Sequence, residues 1–148
     1  MSENEPGNAI TEYDDPDSVI TEFRENEGEV GGACAGAELI LLTTIGAESG
    51  RPHVVPLELL RRPSGAGDIL YVSSLIEDRY PAWYYNAKKN PRVTIEHGPE
   101  QFSGLVTVLE GAEYEEFAAW ALAHNPPLAE HQAKVARPLP LAVVTFDK

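Results

Sequence analysis

The sequence predicts an α+β domain: six antiparallel strands curling into a small closed or split β-barrel, with helices packed on the outside. Three observations predict it. Short apolar, β-branched runs recur along the chain, separated by corners rich in glycine and proline. The connections between the early runs are too short for the crossovers that parallel strands require. Helical spacings interrupt the strand series, which reads roughly β-β-β-α-β-β-α-α-β after a short leading helix.

Asp17 or Ser18 is placed to cap that leading helix, which runs through Asn26 with Val19, Ile20 and Phe23 on one side. Glycines at 28, 31 and 32 end it. Residues 38–44 form the first strand, because Leu39, Ile40, Leu41 and Leu42 make a continuous apolar run. A turn at 45–50 leads into a second strand over 51–60, where Pro56 marks an edge or a bulge. A loop at 63–67 joins it to a third strand, 68–73. Pro81 suits the first turn of a helix over 82–89, closed by Asn90 and Pro91. Strands over 92–97 and 101–109 flank Gly98 and Pro99 as a hairpin. Tyr114, Phe117, Ala118, Ala121 and Leu122 recur at helical spacing up to the stop at Asn125, Pro126 and Pro127. A short helix over 128–136 and a strand over 139–146 complete the series.

Residues 1–16 are polar and acidic, with too little apolar surface to offset the entropy of ordering, and read as a disordered tail. Residues 17–148 read as one domain. The net charge is −13, of which −9 falls in residues 1–29. Such acidity argues against nucleic acid as a partner. The other residues carry only −4, and seven of their ten bases lie between Arg51 and Arg92, so the middle of the chain can host an anion. No apolar run approaches the ~20 residues of a membrane helix, and the N-terminus lacks the regions of a signal peptide. With Cys34 as the one cysteine, neither an internal disulfide nor a thiolate metal site can form. A cytoplasmic protein, monomeric or homodimeric, is expected.

Three constellations carry chemical potential. In the turn around Gly46, Ser49 and Gly50, glycines allow successive N–H groups to point at one anion, and Ser49 adds a hydroxyl. Arg51 and His53 alternate on one strand face and could reach the same phosphate. The same glycines serve an ordinary hairpin, which is the commoner use. Tyr80, Trp83, Tyr84 and Tyr85 crowd six residues; they can flank a planar ring or, more commonly, pack a helix onto the sheet. Ser73 and Ser74 end the third strand, where polar ligand contacts are common. His53, His97, His124 and His131 show no metal-ligand spacing, so no metal is expected. No Gly-x-Ser-x-Gly elbow occurs, which removes one hydrolase class.

The ordered run from Gly36 through the turn to Pro52, then Pro56-Leu57, Pro81–Asn86, and Asn90-Pro91-Arg92-Val93, resembles the deazaflavin-dependent nitroreductase family. Glu22–Asn26, Val30-Gly31-Gly32 and Arg137–Val144 extend the likeness from about residue 19 to the end. The resemblance implies an FMN-binding-split-barrel-like fold. It also implies hydride transfer from the deazaflavin coenzyme F-420 to a conjugated small-molecule acceptor such as a nitroaromatic or quinone. Carried over by position, it nominates Gly46, Ser49, Gly50, Arg51, His53, Pro56, Leu57, Ser73, Ser74, Trp83, Tyr84 and Asn86 for the cofactor. Ser73, Tyr84 and His131 are candidate proton donors. The family pattern favours a lysine at Glu48, an arginine at His53 and a lysine at Ser74; Arg51 and the Arg61/Arg62 pair remain as substitute cations. The alternatives are an FMN enzyme on the same barrel and a non-catalytic deazaflavin-binding protein.

Overall fold

The computed structural model describes residues 16–30, 37–76 and 79–147, except the side chain of Pro16. The expected tail therefore lies outside the described residues, save for Pro16, which opens the first helix. In chain order the elements are α1 (Pro16–Glu25), β1 (Leu39–Ile45), β2 (Pro52–Glu58), β3 (Leu60–Arg62), β4 (Ile69–Ser73) and α2 (Ala82–Lys89). There follow β5 (Arg92–His97), β6 (Glu100–Val108), α3 (Gly111–His124), α4 (Pro126–Gln132) and β7 (Leu141–Asp147).

All strands pair antiparallel in the order β2-β1-β5-β6-β7-β4-β3, a curled sheet forming a half-barrel. The α+β class and antiparallel pairing are as expected, but the described residues hold seven strands rather than six. The expected strand over 51–60 is interrupted at Leu59. Its first part pairs with β1, its second part pairs with β4, and the two parts form opposite edges of the sheet. One continuous stretch of chain thus brings both edges together. Glu38 ties this bend: its carbonyl accepts the Leu59 N–H at 2.7 Å, and its carboxylate takes Arg61 at 2.6 Å and His97 at 2.9 Å. The Arg61 hydrogen bond holds the Glu38 carboxyl below the usual range.

The apolar run of β1 is buried on both faces, which is why it lacks alternation. Its side chains join Val19 and Phe23 of α1 and Trp83 and Ala87 of α2 in the main core. On α1, the Gly28 N–H reaches the Phe23 carbonyl at 2.8 Å, with Glu27 left-handed at φ 55°, a Schellman closure. A second cluster lies under α3 and α4, where Tyr71 of β4 meets Phe117 edge-on at 4.9 Å. The last short helix starts two residues earlier than expected, because Pro126 and Pro127 occupy its first turn and Asn125 caps it, accepting the Leu128 N–H at 3.3 Å. Tyr114 of α3 donates to the Leu139 carbonyl at 2.6 Å, joining that helix to the approach of β7.

Two stability experiments follow. A Cβ at Gly104 would press into the Thr145 carbonyl and come within 2.8 Å of Ile95 Cδ1, whereas one at Gly65 meets open space. Gly104→Ala should destabilise the fold by about 1–3 kcal/mol and Gly65→Ala by less than about 0.5 kcal/mol, as read from urea midpoints. Burial pushes the Tyr114 phenol from 10.0 up to about 12. The folded state thus holds this proton more tightly than the unfolded chain, so the contribution is complete below pH 10 and is lost as pH rises towards about 12. Urea midpoints across that interval should fall less steeply in Tyr114→Phe than in the parent.

Candidate cofactor site

The turn between β1 and β2 is closed by its own backbone. The Gly46 N–H donates to the Arg51 carbonyl at 2.8 Å, and the Gly50 N–H to the Gly46 carbonyl at 3.0 Å. Gly50 has φ +72°, a conformation that favours glycine. Ser49 Oγ accepts the Arg51 N–H at 3.1 Å, leaving its own proton to donate. Gly46 forms a small cradle: a Cβ there would collide with Ser49 Oγ and lie 3.1 Å from His53 Nε2. The Glu48 and Ser49 N–H groups carry no hydrogen-bond partner among the described residues. Consecutive free N–H groups beside glycines are what an anion needs.

The helix α2 holds this turn from one side. Asn86 is buried at 6% exposure and uses both ends of its amide. Its Oδ1 accepts the Ala47 N–H at 2.9 Å, and its Nδ2 donates to Thr44 Oγ1 at 3.1 Å. One helical turn further on, Lys89 Nζ donates to the Ala47 carbonyl at 2.8 Å. Asn90 Nδ2 adds a longer contact of 3.4 Å to the Ile45 carbonyl. Thr44, Lys89 and Asn90 were not among the nominated residues. The i, i+3, i+4 spacing of Asn86, Lys89 and Asn90 sets the three on one side of the helix, but nothing in the sequence says that this side meets the turn.

Gly46, Ser49, Gly50 and His53 lie together at the turn. Arg51 lies one residue before β2, its carbonyl accepting the Gly46 N–H, and His53 pairs with Thr44. Pro56 and Leu57 lie deeper in β2, buried opposite Leu41 and Ile40. Ser74 Oγ accepts the Trp83 indole N–H at 2.8 Å, and Trp83 is 3% exposed within the main core. Ser73 Oγ is buried without a partner. Tyr84 packs against Tyr80, ring centroids 4.4 Å apart, and burial raises its phenol above the ordinary value against the opposing pull of Lys88. His131 Nε2 faces the Ile76 carbonyl at 2.5 Å and therefore donates to it. The structure does not join Ser73, Tyr84 and His131 into one hydrogen-bonded group.

Arg61 and Arg62 are not available as substitute cations. Arg61 is paired with Glu38 and Asp68, and Arg62 with Glu116 while lying over the Phe117 and Trp120 rings. Lys88 and Arg92 pair with Glu110 and Asp147. Arg51 makes no side-chain ion pair among the described residues. No group of three or more potential metal ligands occurs among them.

The described residues thus combine a half-barrel sheet with a glycine turn in which the Glu48 and Ser49 N–H groups are free and Arg51 makes no ion pair. The F420H(2)-dependent quinone reductase family model matches residues 18–146, and the chain belongs to that family. It is thus an F-420-dependent reductase, with coenzyme F-420 as the cofactor of its family. The F420H(2)-dependent quinone reductase of Mycobacterium tuberculosis is 28% identical over 127 residues, covering 83% of this chain and 84% of the relative. A solved F420-H2 dependent reductase (FDR-A) is 32% identical with TM-score 0.51, covering 72% of this chain and 93% of that one. A structure described as a domain-swapped dimer is 29% identical with TM-score 0.56, covering 88% and 99%.

Removing the buried Asn86 amide should free the turn. Asn86→Ala strips the partner from the Ala47 N–H, at a cost of about 1–3 kcal/mol. Amide hydrogen exchange at Ala47 should accelerate far more than exchange at Leu41 in the centre of β1.

Proposed function

We propose that this protein reduces quinones with F-420, that the turn at 46–51 receives the anionic part of the cofactor, and that residues 17–148 act as one cytoplasmic domain. The observation that carries the reading is the turn itself: free Glu48 and Ser49 N–H groups, the Ser49 hydroxyl and an arginine without an ion pair among the described residues, Arg51, lie within six residues. These donors suit the cofactor's phosphate and acidic tail. The Gly46 cradle and the buried, unpartnered Ser73 hydroxyl add two places where a ligand can complete the structure.

Reduced F-420 supplies a hydride when bound, two electrons and one hydrogen, and the acceptor oxygen takes one proton to complete the hydroquinone. The protein's part is to bind, orient and exclude water. Gly46, Ser49, Gly50, Arg51 and His53 hold the anionic end. Pro56, Leu57, Trp83 and Asn86 give the site a rigid back, with Ser74 fixing the Trp83 indole. Ser73 and Tyr84 are the favoured proton holders: Ser73 has an uncommitted hydroxyl, and burial keeps the Tyr84 phenol protonated. His131 already uses Nε2 on the Ile76 carbonyl. Quinones lead over nitroaromatics because the family description and the Mycobacterium relative's name both specify them. A homodimer is favoured over a monomer, supported by the relative described as a domain-swapped dimer.

The test is oxidation of reduced F-420, followed by absorbance, with a quinone and a nitroaromatic offered separately. Quinone turnover should dominate, and Arg51→Ala should raise the KM for F-420 about tenfold, the loss of one exposed charge-assisted hydrogen bond. Turnover of the nitroaromatic alone, or an unchanged KM in Arg51→Ala, would refute this assignment.

A further inference from the structure

Of the seven bases between Arg51 and Arg92, four are ion-paired: Arg61, Arg62, Lys88 and Arg92. Arg51, Arg79 and Lys89 carry no ion pair among the described residues, and of these Arg51 and Lys89 sit on the β1–β2 turn. Lys89 belongs to a different element, at the end of α2, yet its Nζ reaches the Ala47 carbonyl at 2.8 Å. An ammonium has three N–H donors and no acceptor, so one bond to Ala47 leaves two donors and the charge. The adjoining residue, Glu48, is exposed and acidic, which makes an anion at this turn unfavourable unless a cation offsets it.

We infer that Lys89 is a cofactor-binding residue, the second cation of the turn, which selects for a ligand carrying several negative charges. The inference rests on the turn being the anionic subsite. The sequence hides this residue, because Lys89 lies 38 positions after Arg51 and reads as an ordinary helix-end lysine. Its role is built by the helix. Asn86 locks the Ala47 N–H, and Lys89, one turn later on the same face, takes the carbonyl of the same residue. The ammonium is therefore held at the turn in the absence of any ligand, and binding need not recruit it from solvent. Two cations and two free N–H groups match a phosphate with further carboxylates better than a single phosphate.

The experiment measures binding, not turnover. Quenching of tryptophan fluorescence is titrated at low and high salt with oxidised F-420, and with a deazaflavin lacking the phosphate and acidic tail. Lys89→Gln keeps an N–H for the Ala47 carbonyl while removing the charge, and Lys89→Arg keeps the charge. Lys89→Gln should weaken F-420 about tenfold and flatten its salt dependence, Lys89→Arg should recover most of the affinity, and the truncated deazaflavin should bind all three proteins equally. Lys89→Gln binding F-420 within twofold of the parent would overturn the inference while leaving the functional reading intact. Equal weakening for both probes would also overturn it, since Lys89 would then act by shaping the turn. Failure of the parent to bind F-420 at all would remove the functional reading, and this inference with it.

Discussion

The capture of the Ala47 peptide by α2 is the constraint on which the site depends. Burying a primary amide without partners is costly, and Asn86 finds one at each end only if the turn after β1 stands against the helix. That one requirement fixes the turn to α2. The β1–β2 register then places His53 opposite Thr44, the residue whose hydroxyl completes the Asn86 network. The turn is tied to the helix through both polar groups of Ala47, and its unused donors are those that an anion can take.

Charge tells the same story at a larger scale. A chain of net charge −13 repels anions at long range, so the proposed anion site has to be local and protected. The fold sorts its cations. Arg61, Arg62, Lys88 and Arg92 close ion pairs that join separate elements, and Arg61 in particular stabilises the bend where the chain passes from one sheet edge to the other. The cations left without an ion pair at the turn are then few, Arg51 within it and Lys89, whose Nζ is held on the Ala47 carbonyl. The acidic residues of the N-terminal segment include Glu22 and Glu25 on α1, a helix docked through Phe23 and through the Arg24–Glu96 ion pair at 2.8 Å.

Much of the fold was legible because local chemistry decides it. The apolar run of β1, the glycines of the turn, the proline at the start of α2 and the helical spacing from Tyr114 to Leu122 each specify an element without long-range help. The division at Leu59 was not legible. Nothing in the composition of residues 52–62 says that one part pairs with β1 and the other with β4; that follows from closure of the sheet. At the site, the turn residues were found because glycine and serine advertise backbone geometry. Thr44, Lys89 and Asn90 were missed because their roles arise only when α2 meets the turn. The fates of Arg61 and Arg62 were misjudged for a related reason: a positive charge in sequence says nothing about whether a carboxylate such as Glu38 or Glu116 lies beside it in space.

The central claim is that the turn between β1 and β2 receives the anionic part of F-420. Amide chemical shifts of uniformly 15N-labelled protein, followed as F-420 is added, test it most directly. The account predicts that the Glu48 and Ser49 amides move downfield and saturate together with cofactor binding, while Leu41 and Leu42 stay in place. Saturable binding that leaves the amides of residues 46–50 unmoved would contradict it.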